Sequence, residues 1–359
     1  MTLRDKVLAA RSAAEATGNQ PRALRGYQRS PWLVAVALTA FVVGQRVDTQ
    51  QRTPSPAASQ VPGPAWGNSG EIHELPVQGS VHLLVGAGGN IAVQIGDEGV
   101  LVVDTGMAQH AEKVLAAIRK LSDKPIRYVV NTHFHPDHTG GNEVIGKAGT
   151  TVQGNPTAIV AYENVLTRMS AMVGERSVAP TVAWPTATYV TTQKDFFFNE
   201  EPVILQHEAD AHTDGDSIVM FRRSDVIAAG DIFVTTHYPV IDHPNGGNVS
   251  GIINGLNRIL DLAVPKHEKE GGTYVIPGHG RVCDEADVLE YRDMVTIVRD
   301  RVRDMVSRGL TLDQVKAARP TLDYDLHYGA STGPWTTAMF IEAVFKDLSA
   351  ESGKRAGGR

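Results

Sequence analysis

The spacing of apolar and polar positions changes at about residue 71, and from there it predicts an ordered series of strands and helices. Short runs rich in β-branched residues and bounded by turn residues predict strands at Val81–Val85, Asn90–Ile95, Val100–Val103, Ile126–Val130, Thr188–Val190, Val203–Gln206, Ser217–Phe221, Val226–Ala229 and Tyr274–Ile276. Apolar residues at helical spacing predict helices at Ala108–Leu121, Pro156–Met172, Val249–Leu262, Glu285–Arg308, Leu312–Ala318 and Thr336–Leu348. Strands and helices in one continuous run indicate a layered α/β (α+β) domain with a C-terminal helical extension.

The first 70 residues follow a different pattern. The run Trp32–Gly44 is apolar or small apart from one threonine, and Arg22, Arg25 and Arg29 precede it. A basic segment followed by a short apolar core is typical of a secretory signal, whereas a membrane-spanning helix needs about 20 apolar residues. We therefore expect residues 1–44 to be a signal or leader segment. This implies a periplasmic or secreted protein, or an N-terminal membrane anchor if the leader stays uncleaved.

The remaining boundaries follow from composition. Residues 45–70 are rich in Pro, Ser, Gln and Gly, which predicts a flexible linker. We assign residues 71–283 to one domain and residues 284–350 to C-terminal helices packed on it. Residues 351–359, rich in glycine and basic side chains, are expected to form a disordered tail.

Composition and charge exclude several classes of protein. The 359 residues include 34 Lys and Arg against 40 Asp and Glu, for a formal net charge of −6, and 42% of them are hydrophobic. This hydrophobic content is too high for a disordered chain, and one continuous apolar run is too few for a multi-span membrane protein. A net negative chain is not expected to bind nucleic acid. The single cysteine, Cys283, excludes an intrachain disulfide.

Histidines are concentrated after the predicted strand Ile126–Val130. The segment that follows places His133, His135, Asp137 and His138 within six residues, and a tight turn there would aim them at a common point. Imidazole and carboxylate are ligands that suit Zn²⁺ and related cations. The segment therefore predicts a metal site.

Three further residues, each at a junction between a predicted strand and a loop, extend this candidate site: His212, Asp231 and His279. Each alone is most simply explained as a capping residue, but the order HxHxDH, His, Asp, His resembles the metallo-β-lactamase superfamily. The resemblance runs from about Val81 to Arg281. It implies an αβ/βα sandwich with the metal site at one edge, between two sheets, and it makes residues 71–283 the catalytic domain.

The resemblance also implies two zinc ions and a role for each of these residues. His133, His135 and His212 would hold the first metal, Asp137, His138 and His279 the second, and Asp231 would bridge them. Asp104, in Val-Val-Asp-Thr-Gly, matches an early aspartate of the superfamily. That aspartate keeps the metal ligands in position without binding the metal itself.

Two close metals would give a hydrolytic enzyme. They lower the pKa of a shared water, so that hydroxide forms near neutral pH and attacks a carbonyl carbon. Asp137 can orient this nucleophile while it binds metal. We therefore expect a small-molecule acyl substrate with an amide, ester or thioester bond, and no protein nucleophile.

The residues are similar to more than one branch of the superfamily. The stretch HTDGDSIVMFRRSDVIAAGDIFV and the stretch IPGHGRV resemble B1-type lactamases, in which an asparagine near the place of Asn248 polarises the substrate carbonyl. However, B1 enzymes have cysteine at the place of Asp231 and a non-ligand at the place of His138, and the lysine that grips the β-lactam carboxylate is missing from the run Asp231–His237. The metal-binding set is more similar to glyoxalase II-like thioesterases and lactonases.

Other interpretations stay open at this stage. A redox enzyme or a metal-binding accessory protein on the same fold would use the same ligands, and a nuclease would need a basic groove, which the sequence lacks. His237 and Tyr238 are candidate hydrogen-bond donors to a substrate. Trp184 and the run Phe196–Phe198 are candidate pocket residues, although aromatic residues there are more often part of a core.

Overall fold

A computed structural model of the protein describes residues 69–267 and 271–357, with side chains described up to Glu351. The expected leader, residues 1–44, and all but the end of the expected linker, residues 45–70, lie outside the described residues. Within the described part of the chain, no helix has both the length and the apolar character that crossing a membrane requires.

The strands form two large sheets and one small hairpin. They are β1 (His73–Gln78), β2 (Val81–Val85), β3 (Ile91–Gly96), β4 (Gly99–Val103), β5 (Ile126–Val130), β6 (Ala158–Tyr162), β7 (Met172–Val173), β8 (Arg176–Ser177), β9 (Ala187–Tyr189), β10 (Gln193–Phe198), β11 (Glu201–His207), β12 (Ser217–Phe221), β13 (Val226–Ala228) and β14 (Tyr274–Ile276). The first sheet has the order β1-β2-β3-β4-β5-β6-β9, and the second has the order β10-β11-β12-β13-β14. Neighbouring strands are parallel from β4 to β9 and between β13 and β14.

The helices lie outside the two sheets or at their edges. They are α1 (Ala111–Leu121), α2 (Pro136–Thr139), α3 (Asn142–Ala148), α4 (Glu163–Ser170), α5 (Val249–Leu262), α6 (Glu285–Ser307), α7 (Leu312–Ala318), α8 (Asp325–Tyr328) and α9 (Thr337–Gly357). Asp284 and Thr311 are the N-cap residues of α6 and α7. Each forms a capping box, in which the side chains of the N-cap residue and of the third helical residue accept hydrogen bonds from each other's backbone N–H groups.

In the described part of the chain, three large apolar cores lie between the layers. Side chains such as Val103 and Val130 from the first sheet meet Val219 and Ala228 from the second in a central core. The outer face of the first sheet packs against α1 and α3. The outer face of the second sheet packs against α5, α6 and α9, so the C-terminal helices cover that sheet. This arrangement is the αβ/βα sandwich with a C-terminal helical extension that the sequence predicts.

The structure differs from the predicted elements in several places. The segment Pro156–Met172, predicted as one helix, begins with strand β6 and only then forms α4. The elements that were not predicted are β1, β7, β8, β10, α2, α3 and α8. Helix α9 runs to Gly357, past the predicted end at Leu348 and into the segment expected to be a disordered tail.

Candidate metal centre

The topology brings the candidate ligands to one edge of the sandwich. Asp104 directly follows β4, and His133 follows its parallel neighbour β5. Asp231 and His279 follow the parallel pair β13 and β14 in the second sheet. The carboxyl ends of parallel neighbours lie at the same edge of a sheet, and a hydrogen bond of 2.8 Å from Ser217 N to Thr132 O joins the two sheets there.

The predicted ligands meet in three overlapping groups, within each of which the ligand atoms lie within 4.8 Å of one another. These groups are His133, His135 and His212; His133, His138 and Asp231; and Asp137, His138 and His279. The seven residues expected to bind metal are therefore brought together, and two of the three groups have the same members as the two ligand sets that the resemblance implies.

The first group presents nitrogen atoms to a shared space. His212 donates from Nδ1 to the carbonyl oxygen of Val240 at 2.8 Å, which leaves Nε2 facing inward. His135 is held through Nε2 by Asp242 Oδ2 at 2.9 Å, so that its Nδ1 lies 2.9 Å from His212 Nε2. Two imidazole nitrogens this close favour either a shared proton or a shared cation.

The second group mixes imidazoles with carboxylates. His138 Nε2 lies 3.2 Å from Asp231 Oδ1, and His279 Nε2 lies 3.2 Å from Asp137 Oδ2 and 3.5 Å from Asp231 Oδ1. On its other nitrogen, His138 contacts Asp104 Oδ2 at 2.7 Å. Asp231 also lies 3.8 Å from His212 Nε2, which places its carboxylate between the two groups.

A metal ion fits these residues. The Nε2 atom of His133 is buried and makes no hydrogen bond. It lies in a group with His138 and Asp231, whose carboxylate is also buried. A buried polar atom without a partner costs about 1–3 kcal/mol. A divalent cation bound by these nitrogen and oxygen donors would remove that cost, so the residues present suit the metal that the resemblance implies.

The charges of the centre are already arranged for a cation. Burial would raise the pKa of Asp137, but the neighbouring His138 and His279 lower it to about 2. Burial would lower the pKa of His279, but Asp231 and Asp137 raise it to about 9. Burial lowers the pKa of His212 to about 4 despite the attraction of Asp231. The carboxylate of Asp137 thus stays ionised at neutral pH, and a proton on His279 balances its charge where no metal does.

The buried and open sides of the centre differ. His133, His138 and His212 are almost completely buried. The side chains of His135, Asp137 and His279 are 24%, 26% and 22% exposed to solvent. A substrate would therefore approach from the side of these three residues.

The other sequence candidates make different contacts. Asn248 is the N-cap residue of α5, and its Oδ1 accepts a hydrogen bond from Ser250 N at 2.8 Å, so its side chain caps the helix. Tyr238 is fully buried, and its hydroxyl contacts Thr321 O and Asp325 Oδ1 at 3.1 and 3.0 Å. This side chain is part of the core and does not face a substrate. His237 stays close to the centre, with its ring 6.2 Å from that of His279.

The aromatic pocket candidates are mostly packing residues. Phe196 and Phe198 lie against Tyr128 in the central core, with ring centroids 5.0 and 5.1 Å away. Phe197 points outward and is exposed. Trp184 packs in a small cluster with Phe134, the residue between His133 and His135.

Sequence reasoning missed Asp242, which contacts His135. Its carboxylate also accepts a hydrogen bond from Asn245 Nδ2 at 2.8 Å. No motif marks this residue, because its relation to His135 crosses 107 positions of sequence.

Comparison with known proteins decides the family. A family model of the metallo-β-lactamase superfamily matches residues 84–280, which is more than half of the chain and contains every candidate metal ligand. The chain belongs to the metallo-β-lactamase superfamily.

Several proteins to which the chain is similar are alkylsulfatases. The chain is 58% identical over 45 residues to a linear primary-alkylsulfatase from Pseudomonas sp. (strain ATCC 19151), a stretch that covers 12% of this chain and 8% of the relative. Among solved structures, it resembles a double mutant of the sec-alkyl sulfatase PisA1 (TM-score 0.60, 17% identity, 77% of this chain). It also resembles the stereoselective inverting sec-alkylsulfatase Pisa1 from Pseudomonas sp. (TM-score 0.57, 17% identity, 80% of this chain).

The chain spans about half of each solved structure, 50% and 52%. At 17% identity, the structural likeness shows a shared fold.

Proposed function

We propose that the chain is a hydrolase whose His/Asp cluster holds two divalent metal ions, with zinc the metal that best suits its donors. The observation that carries the proposal is the convergence of seven candidate ligands around the Asp231 carboxylate and around His133 Nε2, a buried atom without a hydrogen-bond partner. His133, His135 and His212 would hold one metal, and Asp137, His138 and His279 the other, with Asp231 between them.

The protein residues would have distinct tasks in such a reaction. When bound, the metals would supply Lewis acidity and a water of lowered pKa. Asp137 lies on the open side and has a pKa of about 2, so at neutral pH its carboxylate can accept a hydrogen bond from the attacking water and orient it. The buried His133, His138 and His212 close the rear of the centre to bulk water.

The substrate class we propose first is a sulfate ester of an alkyl alcohol. Two likenesses support it: the local identity of 58% to a primary-alkylsulfatase and the fold shared with a sec-alkylsulfatase. The second candidate is an acyl substrate with an amide, ester or thioester bond, as expected of a β-lactamase-like enzyme, a glyoxalase II-like thioesterase or a lactonase. The HxHxDH ligand set with Asp231 favours that candidate.

The test uses the full chain, loaded with zinc after exhaustive treatment with a chelator. Metal content is measured by elemental analysis, and hydrolysis is measured for dodecyl sulfate, a thioester, a lactone, a cephalosporin and a phosphodiester. We expect about two zinc ions per chain, turnover of dodecyl sulfate, and loss of that turnover after metal removal. Turnover of an acyl substrate in its place would move the assignment to the second candidate.

Matched variants separate the centre from the rest of the fold. His133→Ala removes a ligand of the centre. His82→Ala removes a histidine of β2 that contacts Glu74 at 2.7 Å, and it serves as the control. We expect His133→Ala alone to abolish turnover and reduce the metal content. Activity that survives complete metal removal, or turnover of the phosphodiester alone, would refute the proposal.

We also propose export to the periplasm or the medium, supported by the basic residues before the apolar run Trp32–Gly44. Fractionation of cells that express the full chain, compared with a version that begins at residue 45, tests this. Retention of both versions in the cytoplasm would refute it.

A further inference from the structure

The segment of residues 240–249, called here the 240–249 loop, lies directly against the first ligand group. Val240 O accepts a hydrogen bond from His212 Nδ1 at 2.8 Å. Asp242 N donates to His212 O at 3.1 Å, while Asp242 Oδ2 contacts His135 Nε2 at 2.9 Å. One short loop therefore determines the ring orientation of two of the three histidines in the group.

The contact between this loop and the His212 segment is too close for an additional carbon atom. A Cβ at Gly247 would lie against His212 O and 2.6 Å from Asp242 N. Asp214 N donates to Asn245 O at 2.9 Å, and Asn248 N donates to Ala211 O at 3.0 Å. Backbone contacts fix this side of the loop to the His212 segment. A shift of the loop would therefore also shift His212.

The other side of the loop is held by the C-terminal helix α9. The side chain of Asp347 is only 6% exposed and reaches the loop with both oxygens. Oδ1 contacts His243 Nε2 at 2.7 Å, and Oδ2 accepts a hydrogen bond from Val249 N at 2.8 Å. Val249 is the first residue of α5, where backbone N–H groups have no partner inside the helix and favour a negative charge.

We propose that Asp347 is a positioning residue for the metal group His133, His135 and His212. It acts by holding both ends of the stretch from His243 to Val249, so that Asp242 and Val240 keep their contacts with His135 and His212. The inference rests on the metal-dependent function proposed above. It makes the C-terminal helix a support of the metal centre as well as a cover for the second sheet.

The size of the effect can be bounded. Removing a group that orients a metal ligand without binding the metal itself typically lowers metal affinity 10–100-fold. Asp347 acts through Asp242, one contact further from the metal. We therefore expect loss of its carboxylate to weaken one of the two metal-binding steps about tenfold, near the lower end of this range, and to leave the other within about twofold.

The test titrates Co²⁺ into the full chain after metal removal, because the visible absorption of Co²⁺ reports each occupied site separately from activity. Asp347→Asn is compared with Glu342→Gln, a change on the same helix at a side chain that is 55% exposed and pairs with Lys316 at the surface. His243→Gln removes the same link from the loop side and keeps the test decisive if Asp347→Asn does not fold. We expect the same single step to weaken in Asp347→Asn and His243→Gln, and neither step in Glu342→Gln.

A double variant checks that Asp347 works through Asp242. Residues that act in one chain of contacts have non-additive effects. The pair Asp347→Asn with Asp242→Asn should therefore weaken the step by less than the product of the two single effects.

Several outcomes would overturn the inference. These are two unchanged steps in Asp347→Asn, equal weakening of both steps together with a lower melting temperature, or fully multiplicative effects in the double variant. A wild-type chain that binds no metal would overturn both this inference and the proposed function. A wild-type chain that binds two metals but hydrolyses nothing would refute the function alone, because the titration still decides the role of Asp347.

Discussion

Oδ2 of Asp104 lies 2.7 Å from Nδ1 of His138, and this contact turns Nε2 of the imidazole toward Asp231 and His279. Asp104 also accepts hydrogen bonds from Thr132 N at 2.8 Å and Thr132 Oγ1 at 2.7 Å. One buried carboxylate therefore connects the end of β4, the segment after β5 and a candidate ligand. Its backbone φ of 60° lies in the left-handed region, which Asn and Asp tolerate better than most residues.

Asp104→Asn should thus preserve the backbone while changing the contact with His138. A side-chain amide accepts hydrogen bonds at its oxygen but not at its nitrogen, whereas both carboxylate oxygens accept. At least one buried partner of Asp104 therefore loses its acceptor. We expect a loss of about 1–3 kcal/mol in the free energy of unfolding and a 10–100-fold weaker metal step. Denaturant unfolding and metal titration check these values, with the exposed Asp97→Asn as control. Unchanged metal binding would contradict a steadying role for Asp104.

The carboxyl group of Glu208 should make the stability of the fold depend on pH, independently of the candidate metal ligands. Its side chain is largely buried, with Arg258 Nε at 3.4 Å, and burial raises the pKa of its carboxyl to about 7. The folded protein thus holds this proton more tightly than the unfolded chain does. The contribution of Glu208 to stability is therefore greatest below about pH 4.5 and is lost as the pH rises toward 7.

Glu208→Gln should remove this loss, because the amide stays neutral. We expect the variant to exceed wild type by about 1–2 kcal/mol in the free energy of unfolding at pH 8 and to match it at pH 4. Glu143→Gln, at an exposed side chain that pairs with Lys147, should leave the pH profile unchanged. A Glu208→Gln profile parallel to that of wild type would show that Glu208 does not titrate in this range.

Gly247→Ala tests the close approach of the 240–249 loop. The added Cβ would lie against His212 O and 2.6 Å from Asp242 N, which are backbone atoms that cannot rotate away. We expect a loss of about 1–3 kcal/mol in stability together with weaker binding at the His212 group. Gly146→Ala is the control, because its Cβ would meet only Ile159 at 3.4 Å and alanine is favoured within a helix. Equal stability of the two variants would exclude the predicted clash.

Tyr238→Phe distinguishes a core role from a role in substrate binding. The hydroxyl is buried against Thr321 O and Asp325 Oδ1, and the ring stacks on Phe340 with centroids 4.7 Å apart. We expect a loss of about 1–2 kcal/mol in stability and no more than a twofold change in kcat/KM for any substrate that the enzyme hydrolyses. A large fall in kcat/KM at unchanged stability would return Tyr238 to the list of substrate contacts.

The success of the fold prediction depended on local signals. Ser217–Phe221 and Val249–Leu262 have the predicted bounds, because period and turn residues mark them within a short window. The segment Ala158–Tyr162 was wrongly predicted as helix. It is a short apolar run between two parallel neighbours, β5 and β9, and such a strand shows no alternation that would separate it from a buried helix.

The candidate site shows the same difference between what local sequence predicts and what long-range contacts decide. Imidazoles and carboxylates at fixed spacing, as in His133 to His138, define a metal-binding chemistry that local sequence already contains. The amino-acid sequence by itself therefore determined the type of chemistry, the superfamily and most of the elements. Which groups hold those ligands in place depended on the tertiary structure: Asp242 reaches His135 across 107 positions, and Asp347 reaches His243 across 104. The folded topology makes these contacts, and no short-range pattern records them, because a carboxylate that orients a distant ring needs only to be near it in space.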